Sequence, residues 1–180
     1  MTNKRKTNSV TNLKAALIDL LLEMEYSKIT IGNITQRANV SRGTFYQHFL
    51  DKDDLAYSIG TETMQRFWEI LAQGNLDKED MLLKALLLIK NDYKHFKAIS
   101  KAPHVQFKEK VQQLICDLIN NNPAIREKIK KKTKISDEIV IKAFSTSFET
   151  IISSWIDNDL SESPEKVVDN IIKIEQLFWK

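Results

Sequence analysis

The sequence predicts an all-α fold of about nine helices. Apolar residues recur at three- and four-residue steps along most of the chain, which is the period of an amphipathic helix. The 180 residues include four glycines and three prolines, few turn-forming residues for an all-β protein. With 42% hydrophobic residues, a chain of this length can bury a core without a metal or a disulfide.

The composition also limits the class of protein. Cys116 is the single cysteine, so no intrachain disulfide can form, which is typical of a reducing compartment. The basic N-terminus is not followed by the apolar run of a signal peptide, and no apolar stretch is long enough for a transmembrane helix. We therefore expect a cytoplasmic globular protein.

Positive charge is concentrated in the N-terminal third of the chain. The net charge is +3, and residues 1 to 52 carry eight basic against four acidic side chains. Such a distribution is expected where this third meets a polyanion, although a Lys-rich solvated surface has the same composition. Charge alone does not separate these two interpretations.

The N-terminal third is predicted to begin with two helices. The first extends from about residue 11 to 25 and carries a continuous apolar stripe. The second covers about residues 31 to 38 and follows Thr30, whose hydroxyl is suited to cap it. Asn39 tolerates the left-handed conformation that ends a helix, so we place the turn there.

A third and a fourth helix complete this region. Ser41 is suited to cap a third helix over residues 42 to 48. Asp51 is suited to cap a fourth, from residue 52 to about residue 72, whose acidic first turn matches the positive end of the helix dipole. This long fourth helix is expected to connect the two halves of the chain.

The remaining sequence is also predicted to be helical. Asp77 is the expected cap of a densely apolar helix, and Ser163 with Pro164 opens the last one. Further helices are predicted over residues 93 to 100, 105 to 120, 124 to 132, 136 to 157 and 165 to 179. We expect an N-terminal domain of residues 1 to 52, with an arm at 1 to 9 that either contacts DNA or is disordered, and a C-terminal domain of residues 53 to 180.

Residues 30 to 55 have the pattern of a helix-turn-helix, in which the second helix enters the DNA major groove. Arg42 is suited to bidentate recognition of guanine, and Gln47 to recognition of adenine. Gly43 allows a close backbone approach, and the Thr44 methyl can contact a thymine methyl. These four residues are assigned to bases.

A second set of residues is expected to contact phosphate. Thr30 and Lys52 stand at helix N-termini, where free N–H groups attract an anion, and Tyr46 and His48 lie on the recognition helix. The complete predicted DNA-binding set is Thr30, Ser41, Arg42, Gly43, Thr44, Tyr46, Gln47, His48 and Lys52.

The motif resembles the DNA-binding domain of the TetR family of bacterial transcription regulators. The resemblance covers residues 13 to 55 and includes Thr30, the Ala-Asn-Val-Ser turn at 38 to 41, Gly-Thr-Phe-Tyr at 43 to 46, His-Phe at 48 and 49, and Asp-Lys-Asp-Asp-Leu at 51 to 55. It departs at Asn39 and Glu25, which replace common glycines, and at Thr35, which replaces alanine. The spacing agrees throughout this stretch.

The resemblance implies a homodimeric regulator, and we expect it to act as a repressor that binds a palindromic operator. It also implies a dimer interface built from the last two long helices, which by their apolar pattern alone could equally close a monomer's core. The interface residues expected on this basis are Phe144, Phe148, Ile151, Ile152, Trp155, Val168, Ile171 and Ile172.

A C-terminal pocket for a small-molecule effector is implied as well, but the sequence identifies neither a ligand nor its residues. An aromatic set that could line such a pocket, or form plain core, is Trp68, Tyr93, Phe96, Phe107, Phe144, Phe148 and Trp155. The alternative is an activator or adaptor whose C-terminal domain recruits a protein partner. His95, His104 and Cys116 lack metal-ligand spacing, so we expect no metal, no cofactor and no enzymatic activity, with the histidines at the surface.

Overall fold

The computed structural model describes residues 2–71, 78–132 and 135–179. These ranges contain ten α-helices, two short 3-10 helices and no strand, which confirms the predicted all-α class; each α-helix corresponds to one of the helical segments predicted from the sequence. The helices are α1 (Thr2–Glu23), α2 (Ile31–Arg37), α3 (Arg42–Tyr46), α4 (Lys52–Leu71), α5 (Lys78–Asn91), α6 (Tyr93–Ser100), α7 (Phe107–Asn120), α8 (Pro123–Lys132), α9 (Asp137–Asp157) and α10 (Pro164–Trp179).

Helices α1, α3 and α7 differ from the predicted boundaries, and several other helix ends differ by one or two residues. Helix α1 begins at Thr2, because a polar helical extension precedes the apolar stripe by which the helix was recognised. Helix α3 ends at Tyr46, two residues early. Helix α7 begins at Phe107, because Pro103–Val105 forms a separate 3-10 helix and Gln106 has a φ of 53°. The side chains of the predicted arm up to residue 7, and the predicted cap Asp77, lie outside the described residues.

The predicted helix caps are present in the N-terminal region. The Thr30 hydroxyl accepts a hydrogen bond from the Asn33 amide at 3.1 Å, and the Asn33 side chain accepts one from the Thr30 amide at 2.9 Å. This is a reciprocal capping box. Ser41 Oγ accepts from the Thr44 amide at 3.0 Å, and Asp51 Oδ1 from the Asp54 amide at 2.8 Å. Local sequence therefore fixes where α2, α3 and α4 begin.

One compact unit comprises Met1–Gln65 together with Asp92–Phe107. Helix α1 packs against α2 and α6, and α2 packs against α3. Leu17, Ile34 and Phe45 are fully buried in its core. The inclusion of α6 was not predicted, since the sequence divided the chain once, between residues 52 and 53.

The burial of His95 follows from the position of α6 in the first unit. His95 Nε2 lies 2.8 Å from the hydroxyl of Thr63, which is itself almost completely buried. His95 is half-buried rather than at the surface as expected, because α6 belongs to the core of this unit. His104 is exposed, as predicted.

The second compact unit comprises Arg66–Asn91 and Lys108–Lys180. Helix α10 packs against α5, α8 and α9, and Lys78 of α5 forms an ion pair with Glu175 of α10. A hydrophobic cluster joins α7, α8 and α9 and consists of Ile115, Ile119, Ile129, Val140, Ile141 and Phe144. The amphipathic pattern of these helices thus forms a core within this unit.

No helix within the described ranges combines the length and the apolar character that crossing a membrane requires.

The turn between α2 and α3 generates a prediction about stability. Asn39 has a φ of 52°, a conformation that costs a residue with a Cβ about 1 to 2 kcal/mol and costs asparagine less. Asn39→Ala should lower the free energy of unfolding by about 1 kcal/mol, whereas Asn39→Gly should leave it equal or higher. Urea unfolding measures both changes.

Asn12 provides the matched control, because it is exposed within α1. Asn12→Ala should leave stability unchanged or slightly improved, since alanine favours a helix. Equal stabilities of the alanine and glycine variants at position 39 would contradict the role given to its backbone conformation.

Candidate functional site

The start of α3 is the most exposed part of the helix-turn-helix. Ser41, Arg42 and Gly43 are all exposed, and Thr44 is half-buried with its hydroxyl 2.9 Å from Ser41 Oγ. This hydrogen bond and the Ser41 cap hold the first turn of α3 in place. The residues predicted to read bases therefore begin a rigid, outward-facing helical turn.

Arg42 lies across the start of α2. A Cβ added to Gly32 would come within 3.1 Å of Arg42 Nη2, so the missing side chain at Gly32 leaves room for the guanidinium. Among the described residues, Arg42 has no ion-pair partner. The absence of a side chain at Gly32 therefore makes room for Arg42 at the start of α2.

Arg37 contrasts with Arg42. Its two terminal nitrogens donate to the two carboxylate oxygens of Glu23 at 2.8 and 2.7 Å. The hydrogen bond from Arg37 lowers the pKa of Glu23. The charge of Arg37 is therefore matched within the chain, whereas that of Arg42 faces outward.

Gly43 has no internal reason to be glycine. Its φ is not positive, and an added Cβ would meet a single neighbouring atom, Ser41 Oγ, at an ordinary 3.6 Å. The fold would accept alanine there. The bare backbone leaves room for a close approach from outside.

The remaining residues that were predicted to contact DNA differ in the exposure of their side chains. Tyr46 is 58% exposed and Gln47 is exposed, so both side chains can reach a ligand. His48 is half-buried, and its Nε2 is buried without a hydrogen-bond partner among the described residues. Thr30 is exposed, although its hydroxyl is engaged in the capping box.

Lys52 is tied to the loop between α1 and α2. Its ammonium donates to the carbonyl oxygens of Tyr26 at 2.7 Å and Ile29 at 2.8 Å, and it lies 4.3 Å from the centre of the Tyr26 ring. The predicted phosphate contact of this ammonium stays a prediction. The structure shows that the ammonium also clamps the first turn of α4 to the loop that leads into α2.

A second contact reinforces this clamp. The Tyr26 hydroxyl donates a hydrogen bond to Asp53, and His104 Nε2 lies 3.6 Å from the other oxygen of that carboxylate. Burial, followed by the bond to Asp53, raises the pKa of Tyr26. The Tyr26 and His104 rings also pack at 5.5 Å. Sequence reasoning missed both Tyr26 and Asp53, because their roles depend on contacts distant in sequence.

The residues predicted for the dimer interface differ in burial. Five of them are buried within the chain itself: Phe144, Ile152, Trp155, Val168 and Ile171. The remaining three, Phe148, Ile151 and Ile172, are half-buried. Trp155 also donates its indole N–H to the Glu162 carbonyl at 2.9 Å. The surface of these five side chains is thus used mainly by the chain's own core.

An open groove lies along the outer side of α9 and α10. Its lining includes Ile151 and Ser154 of α9 and Asn170 and Ile174 of α10. Leu177, one helical turn beyond Ile174, is 84% exposed. These positions form the accessible side of the last two helices.

The second unit also contains an apolar cavity of about 70 Å³. Side chains from the end of α4 and from α5, α7 and α9 line it. Of the aromatic residues considered from sequence, Phe148 contributes to this lining, and Phe144 belongs to the neighbouring hydrophobic cluster.

Two protein-family models match the chain. A model described as "Bacterial regulatory proteins, tetR family" matches residues 13–59, which contain the helix-turn-helix. A model described as "Transcriptional regulator C-terminal region" matches residues 77–176. The matches cover both halves of the chain.

Individual proteins are similar over nearly the whole length. The fatty acid metabolism regulator protein of Bacillus subtilis is 21% identical over 174 residues, which is 87% of this chain and 88% of that protein. The structure of the fatty acid degradation regulator FadR from Bacillus halodurans aligns with a TM-score of 0.68 and 18% identity, covering 91% of this chain and 96% of that one.

A second solved structure has the same fold. The dihydroxyacetone kinase operon activator DhaS aligns with a TM-score of 0.62 and 20% identity, covering 96% of this chain and 98% of that one. The helix-turn-helix geometry, the helical C-terminal region and the two family matches agree. The chain belongs to the TetR family of bacterial transcription regulators, which bind DNA.

Proposed function

We propose that this regulator is a repressor that binds a palindromic operator as a homodimer and releases it when an effector occupies the C-terminal domain. The observation that carries the proposal is the exposed first turn of α3. There, an arginine that has no ion pair with any described residue stands beside a glycine that the described fold does not require. An arginine and a bare backbone are suited to a guanine edge and a close phosphate.

The roles of the recognition residues follow from their exposure. Four residues at the two ends of α3 contact base edges. Arg42, Gly43 and Thr44 form its first turn, and Gln47 follows its last residue. Tyr46 contacts phosphate through its hydroxyl. Lys52 holds the clamp and adds a phosphate contact through its remaining N–H group, since two of its three donors are occupied.

A homodimer explains how such a short reading helix gains specificity. Two copies related by a two-fold axis present two α3 helices to half-sites about one DNA turn, roughly 34 Å, apart. The proposed interface is the accessible side of α9 and α10, including Ile151, Ile174 and Leu177. This choice keeps Ile151 from the sequence-based set and adds Ile174 and Leu177. Trp155 also lines the groove, although most of its surface packs within the chain.

Effector control is supported by the apolar cavity in the second unit. An effector shifts the affinity for DNA only if it binds two conformations differently. Two similar proteins are named as regulators of fatty acid metabolism or degradation, which is compatible with an apolar effector. The cavity favours ligand control over an activator or adaptor that only recruits a protein partner.

Operator binding is tested by selecting bound sequences from a pool of random double-stranded DNA at moderate salt. A two-fold symmetric consensus is the expected result. Enrichment of no sequence would contradict the proposal. A reporter gene with the selected operator inside its promoter then distinguishes repression from activation by the sign of the change.

The first variant tests base recognition. Arg42→Ala should relax the preference at one position of each half-site and cost about 1 to 3 kcal/mol of binding to the matched sequence. Fluorescence anisotropy with matched and mismatched operators measures this change. Arg37→Ala is the control, because its guanidinium is paired with Glu23 and its loss should leave the base preference intact.

The second variant tests the clamp. Lys52→Met keeps the aliphatic stem but removes two charge-assisted hydrogen bonds, so the free energy of unfolding should fall by about 1 to 2 kcal/mol. Operator affinity should fall evenly across sequences, with a shallower dependence on salt. Lys28→Met, which removes an exposed lysine paired with Glu25, should leave stability nearly unchanged. A Lys52→Met protein of full stability would contradict the clamp.

The third variant tests the dimer interface. Leu177→Arg places a charge on the accessible side of α10 and should shift the protein towards monomers in sedimentation velocity, because two copies then oppose like charges. Ile139→Arg alters another exposed apolar residue, 61% exposed near the start of α9, and should remain dimeric. A dimeric Leu177→Arg protein would exclude Leu177 from the interface.

A further inference from the structure

The apolar cavity of the second unit is unusual in the uniform chemistry of its lining. Its walls come from the end of α4 and from α5, α7 and α9. The lining residues are Phe67, Leu71, Leu82, Ala85, Leu86, Ile89, Val111, Leu114, Ile115, Leu118, Phe148 and Ile152. All twelve side chains are hydrocarbon, so within the described ranges the lining offers no side-chain hydrogen bond.

Polar groups nearby on α9 do not belong to the lining. Ser145, Glu149 and Ser153 are buried one helical turn apart. Ser153 donates a hydrogen bond to Glu149, and Ser145 accepts one from Cys116 at 3.4 Å. The first of these hydrogen bonds lies within α9 and the second joins α7 to α9, and the described cavity walls contain none of the four residues.

The lining restricts the chemistry of a ligand. A buried hydroxyl, amide or charge without a hydrogen-bond partner is strongly unfavourable, so the part of a ligand inside the cavity must itself be apolar. Water is poorly held for the same reason, and apolar cavities of this kind bind hydrocarbon molecules. The lining thus excludes sugars, nucleotides and free amino acids from the cavity interior.

The size of the cavity narrows the class further. Nine of the twelve lining residues are leucine, isoleucine or valine, and the cavity measures about 70 Å³. Because an apolar cavity of about 150 Å³ holds one benzene molecule, this smaller space admits part of a thin aliphatic chain but not a rigid fused ring. A cellular ligand also needs a polar group for solubility, and this group must stay outside the hydrocarbon walls.

We propose that this cavity binds the aliphatic tail of an amphiphile, such as a fatty acid derivative, with the polar head outside. The inference rests on the proposed effector control and specifies its ligand class. Binding energy comes from the tail, so affinity depends on chain length. Each buried methylene should improve affinity roughly fourfold until the cavity is filled.

The test uses saturated carboxylates of increasing chain length, each below its critical micelle concentration, with the full-length protein in isothermal titration calorimetry. The dissociation constant should fall roughly fourfold per methylene and then level off. Alkyl maltosides and alkyltrimethylammonium salts of matched length should show the same dependence on chain length. Affinity that is independent of chain length would overturn the proposal.

Two variants locate the binding site. Ala85→Phe fills the cavity and should abolish the dependence on chain length, whereas Ala143→Phe, at an exposed position of α9, should preserve it. If Ala85→Phe does not fold, Leu118→Ala enlarges the cavity and should move the plateau to longer chains. An unchanged plateau in Leu118→Ala, or full tail binding by a folded Ala85→Phe protein, would place the ligand elsewhere.

Operator affinity, measured separately with and without each compound, distinguishes the two proposals. Chains that bind the cavity without changing operator affinity would support this ligand class and refute effector control by it. Release of the operator by a compound without an aliphatic tail, while no member of the series binds, would overturn the ligand class and leave effector control standing.

Discussion

The geometry of the helix-turn-helix depends on the position of the Lys52 ammonium. It bonds to two carbonyl oxygens of the loop before α2 while its own backbone begins α4. The start of α4 and the loop leading to the Thr30 cap are thereby held together. The Tyr26 ring packs against the ammonium, and the Tyr26 hydroxyl donates a hydrogen bond to Asp53. Two adjacent residues of α4, Lys52 and Asp53, therefore both bind this loop.

This internal bonding also determines which groups remain for DNA. The cap hydroxyls of Thr30 and Ser41 and the guanidinium of Arg37 have partners within the chain. Arg42 has room over Gly32 and faces outward without an ion pair among the described residues. The recognition surface is therefore small, and its preorganisation reduces the conformational entropy that binding must remove.

In the C-terminal region, the two sides of α9 differ in polarity. On α9, buried serines and a glutamate form local hydrogen bonds, while the adjacent side contributes Phe148 and Ile152 to a wholly apolar cavity. The outer side of α9 and α10 carries further accessible apolar residues. This pair of helices thus supplies part of the core, part of the cavity wall and an accessible apolar surface.

The sequence by itself determined the elements whose causes are local. The apolar periodicity predicted the helices, and the caps at Thr30, Ser41, Asp51 and Ser163 were recognisable because a cap bonds to an amide within three residues. The spacing of these caps placed Arg42 to Gln47 on an exposed turn. Family membership followed from the same short stretch.

Only the tertiary structure decided roles that depend on residues far apart in the chain. Lys52 meets carbonyl groups 23 and 26 positions earlier, so its phosphate role could be inferred from sequence but its clamp could not. Trp155 belongs to an apolar stripe that fits a dimer interface or a core equally well, and folding buried it. A helical period shows that a side is apolar, whereas the packing of other helices decides what covers it.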